Sequence, residues 1–321
     1  MNVFAFILIN NILPIFAIVT LGFYASKKFD LNVQTLSKLI FYIISPCFVF
    51  VYIYNAEIHM EMMKVLIAVV LLLALNMILA SFISKTKNYD TGMKNAFVNS
   101  IMFYNSANMG LPLITLVFSS EPFIVNGQTP YLNTAVTAQL MVLMVQNLSV
   151  NTIGFINAGR AHGHLKDSFV RAMKMPIIYF IIVAFIMKLF PYDLTRFPLW
   201  HSVNYIANAL VAVNLIALGV QLSKTRFALD NGDVYLSCFL RLLVGPVMAL
   251  PLIYLLKVEG IMAQVIMIAS SLPTGVNTAL IAVEYDNYPE FASQVVMTST
   301  LLSSLTLTVV IYFARLLFPV I

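Results

Sequence analysis

Two polar stretches interrupt the long apolar runs of this chain: YNSANMGLP at residues 104–112 and SSLPTGVN at residues 270–277. Each places proline, glycine and small polar side chains in the middle of a run that is long enough to span a membrane. Proline removes a backbone donor and clashes with the preceding turn, and the carbonyls that it frees cannot face lipid. A simple proline kink is the alternative for either stretch alone. Because there are two, we interpret each as two half-helices that meet near the middle of the membrane.

The composition is that of an integral membrane protein. Hydrophobic residues make up 61% of the 321 residues and charged residues 10%, and the mean hydropathy is +0.92. A soluble domain is about 25% charged. The apolar runs are too long and unbroken for a β-barrel, so the fold class is all-α. Ten membrane spans are predicted, at residues 3–24, 36–54, 62–83, 94–118, 132–155, 176–190, 203–222, 234–256, 260–283 and 291–318.

Lysine and arginine residues indicate the orientation of the spans. Arg196 and Lys257 are the clear basic residues of the even-numbered connections. Because basic loops stay in the cytoplasm, the odd connections are predicted to be cytoplasmic, which leaves both termini outside the cell membrane. The net charge of +5 is thereby explained without a nucleic-acid partner. The odd connections contain Lys27, Lys28, Lys85, Lys87, Arg160, Lys166, Arg171, Lys174, Lys224 and Arg226.

The prolines suggest an internal repeat. Pro14 and Pro176 lie 162 residues apart, and Pro112 and Pro273 lie 161 residues apart. Two matching spacings predict two halves of five spans each, and an odd number of spans makes the second half inverted in the membrane. The predicted boundaries are residues 1–158 for the first repeat, 159–174 for a cytoplasmic connecting loop and 175–321 for the second repeat.

The ordered set of motifs resembles the auxin efflux carrier family, in its bacterial branch. The resemblance implies a fold like that of sodium–proton antiporters, with two inverted repeats and two broken helices that cross. It also implies a scaffold of spans 1, 2, 6 and 7 that forms a homodimer, a moving domain of spans 3–5 and 8–10, and organic anions as substrates. The matching segments are ILPIFAIVTLGFYASKK (12–28), LSKLIFYIISPCFVF (36–50), NSANMGLPL (105–113), ALGVQL (217–222), LRLLVGPVMALP (240–251) and SSLPTGVNTALIAVEY (270–285).

Two half-helix N-termini that point at one place form an anion site without a basic side chain. By its motif position, Asn105 resembles the family's substrate-contacting asparagine, and Asn108 and Asn277 are further candidates; helix capping is the alternative role for each. Gln139 and Gln146 lie seven residues apart, on one helix face, and either contact substrate or hold helices together. The predicted substrate-binding residues are Asn105, Asn108, Pro112, Pro273, Thr274, Asn277, Gln139 and Gln146.

Arg241 is the most notable basic residue within a span, and three roles are open to it. It attracts anions, caps the carbonyl end of a half-helix, or extends its charge to the membrane interface. All 13 acidic residues lie in loops or near span ends, which argues against cation–proton exchange. Two ways of coupling transport to an ion gradient stay open. Sodium could bind to backbone carbonyls, or a proton could travel on the substrate's own carboxyl group. Neither the cysteines nor His162 and His164 indicate a metal site.

We therefore predict a secondary transporter of small organic anions, such as malate, malonate or auxin-like acids, with elevator-type alternating access and no cofactor. A sodium-coupled symporter of the bile-acid-carrier type and a membrane sensor without transport are the alternatives. An enzyme is not expected, because the spans contain no nucleophile–base pair and no metal ligand set. A channel would need a pore-lining ring of carbonyls or charges, which the sequence does not indicate.

Overall fold

The computed structural model describes residues 3–55, 61–158, 176–190, 192–224 and 230–320. Within these residues the secondary structure is helical and no β-strand forms, which confirms the all-α prediction. The helices, in chain order, are α1 (Val3–Phe29), α2 (Val33–Asn55), α3 (Met62–Thr86), α4 (Thr91–Met102), α5 (Ser106–Phe118), α6 (Leu132–Ala158), α7 (Pro176–Lys188), α8 (Leu199–Lys224), α9 (Gly232–Leu255), α10 (Gly260–Ser270), α11 (Val276–Glu284) and α12 (Pro289–Leu317).

Seven of these helices are long and apolar enough to cross a membrane: α1, α2, α3, α6, α8, α9 and α12. The protein is therefore a multi-pass membrane protein. The predicted spans at 94–118 and 260–283 are each divided into two shorter helices, α4 with α5 and α10 with α11. The predicted span at 176–190 corresponds to α7, which has 13 residues. The total of ten spans stays a prediction.

The closest helix pair is α1 and α8, and two glycines make the approach possible. A Cβ atom at Gly22 would overlap the Ile216 carbonyl, and one at Gly219 would overlap the Val19 carbonyl, so the two backbones touch. Beyond the glycines, the Ser223 hydroxyl donates to the Ser26 hydroxyl (2.8 Å). Helix α2 packs against α7 and the first part of α8. We call α1, α2, α7 and α8 the scaffold group.

Replacing Gly219 tests this contact. Because there is no room for a side chain between the two backbones, we expect Gly219→Val to separate α1 from α8 and to lower the melting temperature and yield of the detergent-purified protein. Gly232→Ala, at the start of α9, is the control, because a Cβ atom there meets nothing within 4 Å. Equal melting temperatures for wild type and Gly219→Val would contradict the packing.

The remaining helices, α3–α6 and α9–α12, form a second group that we call the crossing group. In it α6 packs against α3, α5 and α10, while α12 packs against α9, α10 and α11. The two groups meet where α8 contacts the start of α5 and where α1 contacts α12. Each half of the chain contributes one interrupted helix. The inverted relation of the halves stays a prediction, and the loop at 159–174 lies outside the described residues.

One polar contact ties the two halves of the chain together at one end of the crossing group. Asp90 caps α4 by accepting from the Met93 N–H (3.0 Å), and it accepts a second hydrogen bond from the Tyr288 hydroxyl at the start of α12. These two bonds, that of Tyr288 first, hold the pKa of Asp90 below its usual value. A depressed carboxyl pKa contributes stability that is present near neutral pH and is lost as the pH falls through that pKa.

Candidate substrate site at the crossing of two broken helices

The two interruptions lie against each other. Helix α4 ends at Met102 and is followed by Phe103 in an extended conformation (φ −107°, ψ 121°). The next residue, Tyr104, pairs in an antiparallel bridge with Thr274, which lies between α10 and α11. The Asn105 N–H donates to the Pro273 carbonyl (2.8 Å), and the Gly275 N–H donates to the Phe103 carbonyl (2.9 Å). The interpretation as two half-helices that meet is therefore correct, and a simple kink is excluded.

The backbone groups freed by the breaks find their partners inside the protein. The Tyr104 N–H donates to Gln146 Oε1 (3.3 Å). The Thr274 hydroxyl donates to the Ser100 carbonyl (2.8 Å), and the Thr274 N–H donates to the Ser299 hydroxyl (3.1 Å). Irregular backbone at membrane depth requires such internal partners, because lipid offers none. The crossing is thus compatible with a position within the membrane.

Arg241, in α9, caps the C-terminal ends of both α4 and α10. Its Nη1 donates to the Ile101 carbonyl (2.8 Å) and its Nη2 to the Ser270 carbonyl, and its guanidinium lies 4.7 Å from the centre of the Tyr104 ring. The residue is 0% exposed. Of the three roles open to it, capping is therefore the one observed, and extension to the interface is wrong because the burial is complete. Gly245 makes the arrangement possible, since a Cβ atom there would stand 2.6 Å from the Ser270 carbonyl oxygen.

A small cavity lies at the other ends of the interruptions, where α5 and α11 begin. Its volume is about 30 Å³, which is enough for a water molecule or a small polar group. None of its lining residues is charged. They are Phe103, Tyr104, Asn105, Ser106, Ala107, Asn108, Gln146, Asn147, Val150, Gly275, Val276 and Asn277.

Two amide groups in this lining hold unpaired donors. Asn105 Oδ1 accepts from the Asn108 N–H (3.2 Å), and Gln146 Oε1 accepts from the Tyr104 N–H. Because the oxygen of each amide already accepts a hydrogen bond from the backbone, the NH₂ group is the part that is available to donate to a ligand. Asn105 Nδ2 and Gln146 Nε2 are buried and form no hydrogen bond of ordinary geometry, although Gln146 Nε2 lies close to the Tyr104 hydroxyl. A buried donor without a partner costs roughly 1–3 kcal/mol, which an acceptor on a bound ligand would offset.

Four of the eight predicted substrate-binding residues line the cavity: Asn105, Asn108, Asn277 and Gln146. Three others support the crossing instead. Gln139 Nε2 donates to the Ser106 carbonyl (3.0 Å) and so fixes the start of α5. Pro273 contributes its carbonyl to the backbone pairing, and Thr274 forms the hydrogen bonds to Ser100 and Ser299 already described. Substrate contact by any of them stays a prediction.

Pro112 does not break its helix, and this expectation is corrected. The break lies at residues 103–105, whereas Pro112 stands in the first turn of the α-helical segment Leu111–Phe118, where it continues the helix. Within α5, Pro112 follows the π-helical turn Ser106–Gly110, and such a local distortion of a helix is common at a proline. The interruption comes instead from the hydrogen bonds that residues 103–105 form with the second half of the chain and with α6.

Sequence reasoning missed eight of the twelve lining residues, and three of the eight bear on the site: Tyr104, Asn147 and Gly275. The ring of Tyr104 lies against the Arg241 guanidinium, and Asn147 follows Gln146 in α6. Gly275 allows the two chain segments to approach, because a Cβ atom there would stand 3.2 Å from the Tyr104 carbonyl oxygen. A glycine in a polar interruption could have predicted that two chain segments come close there. No feature of the sequence indicated that Asn147 lines the cavity, since an asparagine in an apolar helix has many possible partners.

The fold and the site define a multi-pass membrane protein with a polar cavity at the crossing of two broken helices. A family model described as "Membrane transport protein" matches residues 7–311. The chain belongs to this family, the auxin efflux carrier-like transport proteins. It is thus a transport protein and not an enzyme. Among the described residues, no three His, Cys, Asp or Glu side chains come together as metal ligands.

Two relatives are similar over nearly their whole length. An "Uncharacterized transporter" of Methanothermobacter thermautotrophicus is 24% identical over 303 residues, which cover 93% of this chain and 95% of the relative. The "Uncharacterized transporter MJ1031" of Methanocaldococcus jannaschii is also 24% identical over 303 residues, covering 90% of this chain and 94% of the relative. Their names state transport and no substrate.

Proposed function

We propose that this protein is a secondary transporter of small organic anions, such as malate, malonate or auxin-like carboxylates. The observation that carries the proposal is the pair of unpaired, buried NH₂ donors of Asn105 and Gln146 in a cavity formed by the N-terminal ends of α5 and α11. Amide donors and helix N-termini both favour an acceptor with negative charge. A carboxylate has that charge and the lone pairs for several donors.

The same lining disfavours a cationic substrate. It contains no acidic side chain, and a cation there would face the positive ends of two helix dipoles. Binding of a bare metal cation in the cavity is opposed for the same reason. One alternative function is a symporter of the bile-acid-carrier type, in which sodium binds to backbone carbonyls elsewhere in the protein. The second alternative is a membrane sensor without transport.

Elevator-type alternating access is the proposed mechanism, with the crossing group moving against the scaffold group. Few polar contacts connect the two groups beside the cavity. Asn214, on α8, donates to the Ala107 carbonyl at the start of α5 over 3.4 Å, a long and therefore weak hydrogen bond. Such a contact is easily exchanged when one group slides along the other. We further propose a homodimer formed through the scaffold group, in the cell membrane, with both termini outside.

Flux measurements in liposomes test the proposed function. Purified protein is reconstituted, and uptake of a panel of radiolabelled mono- and dicarboxylates is recorded with pH and sodium gradients imposed separately. We expect saturable uptake of at least one carboxylate, with counterflow when the unlabelled acid is preloaded. The gradient that drives accumulation identifies the coupling ion.

Two outcomes would contradict the proposal, and a third would select the sodium-coupled alternative. Folded protein that moves none of the acids, in either gradient, excludes organic-anion transport and favours a sensor or a neutral substrate. Flux that rises linearly with concentration and shows no counterflow indicates a channel. Uptake that strictly requires sodium would support the symporter alternative.

A further inference from the structure

We propose that the crossing site selects anions with a single negative charge, and that it accepts a dicarboxylate only after one carboxyl group has been protonated. This inference rests on the proposed function of the same site. It follows from the charges at the crossing, which are those of two helix N-termini, two helix C-termini and one arginine.

The positive charge available to a ligand comes from two helix ends. A helix N-terminus carries roughly half an elementary charge. Helix α5, Ser106–Phe118, and helix α11, Val276–Glu284, both begin at the cavity with their first residues in its lining. Together they supply about one positive charge, which matches one carboxylate.

Arg241 does not add to this charge. Its guanidinium donates to the Ile101 and Ser270 carbonyls, in the last turns of α4 and α10. Two helix C-termini carry about one negative charge together, so they balance the arginine. Arg241 is also absent from the cavity lining. The crossing therefore contains two separate balanced sets: Arg241 with two C-termini, and the ligand with two N-termini.

The amide donors of the lining are also those expected for a ligand with one negative charge. Asn105 Nδ2, on a residue that is 4% exposed, is unpartnered and belongs to a residue of the lining, so it points to a ligand independently of the helix ends. Gln146 Nε2 is a second buried donor of the lining, and it lies close to the Tyr104 hydroxyl. A second carboxylate in the same place would have no cationic side chain to pair with. An unpaired charge in a membrane interior is costly, and such a group takes up a proton instead.

Equilibrium binding to purified wild-type protein tests this selection, with matched pairs of acids: succinate with monomethyl succinate, and malonate with monomethyl malonate. Each monoester is a single anion at every pH above its one pKa. We expect monoester affinity to stay constant with pH. We expect the apparent affinity for the parent diacid to fall about tenfold for each pH unit above its second pKa, as the singly charged fraction falls.

A charge-adding variant provides a second readout. Asn147→Lys places one cation in the lining, and we expect it to raise the affinity for the dianion relative to the monoester and to flatten the diacid's pH dependence. Gln128→Lys, at an exposed position in the connection between α5 and α6, is the charge-matched control and is expected to leave unchanged which member of each acid pair binds more tightly. If Asn147→Lys does not fold, the wild-type pH series decides alone.

The two possible failures are distinguishable. Diacid binding that is independent of pH and as tight as monoester binding would overturn the single-charge selection and leave the anion site intact. Folded wild-type protein that binds neither member of either pair would overturn the proposed function, and this inference with it.

Discussion

We expect replacement of Arg241 by methionine to abolish transport and to destabilise the protein strongly. The variant keeps an unbranched apolar side chain and removes the donors that reach the Ile101 and Ser270 carbonyls. Each carbonyl would then be buried without a partner at a roughly 1–3 kcal/mol cost, so the two together cost about 2–6 kcal/mol. A lower melting temperature in detergent and loss of saturable flux in liposomes are the measurements.

Arg241→Lys grades the effect. Lysine retains the positive charge but lacks the planar fork that lets one side chain donate to two carbonyls. Its melting temperature should therefore lie between those of wild type and Arg241→Met. Arg196→Met, at an exposed side chain in the connection before α8, is the control and should melt like wild type. If Arg241→Met has the same melting temperature as wild type, the capping role is refuted.

The second large effect is expected from two near-isosteric variants, Asn105→Asp and Gln146→Glu. Each keeps the side-chain oxygen that accepts from a backbone N–H and replaces the unpartnered NH₂ group by oxygen. The local hydrogen bonds are retained, but the ligand loses a donor and meets a like charge. A hydrogen bond to a charged group contributes roughly 1.5–3 kcal/mol, so apparent affinity should fall at least about tenfold.

The readouts for these variants are carboxylate flux and melting temperature, measured side by side. We expect flux to fall in both variants. The melting temperature of Asn105→Asp should change little, since aspartate is also a favourable N-cap, whereas Gln146→Glu buries a carboxyl group inside α6 and should melt at a lower temperature. Gln128→Glu, at an exposed position in the connection between α5 and α6, is the control that makes the same kind of substitution away from the cavity. Wild-type flux in both Asn105→Asp and Gln146→Glu would remove these residues from the substrate site.

The sequence by itself determined the membrane class, the all-helical fold and the places where two helices are interrupted. These properties depend on local composition: long apolar runs require backbone groups to be satisfied within a helix, and proline, glycine and asparagine mark where that cannot continue. The sequence also indicated Asn105, Asn108 and Asn277 at the cavity, because the residues beside a helix break have few other places to lie. The spacing of Gln139 and Gln146 on one helix face indicated both residues, of which Gln146 lines the cavity.

Only the tertiary structure decided how the interruptions are stabilised. The Asn105 N–H finds its partner at Pro273, and Arg241 finds two carbonyls on two different helices. Such partners are far apart in the chain, so no local pattern encodes them. Pro112 shows the same limit, since the interruption before its helix arises from the hydrogen bonds of residues 103–105 with other segments and not from the proline. Folding brings the partners together, and their hydrogen bonds then fix which end of each half-helix faces the cavity.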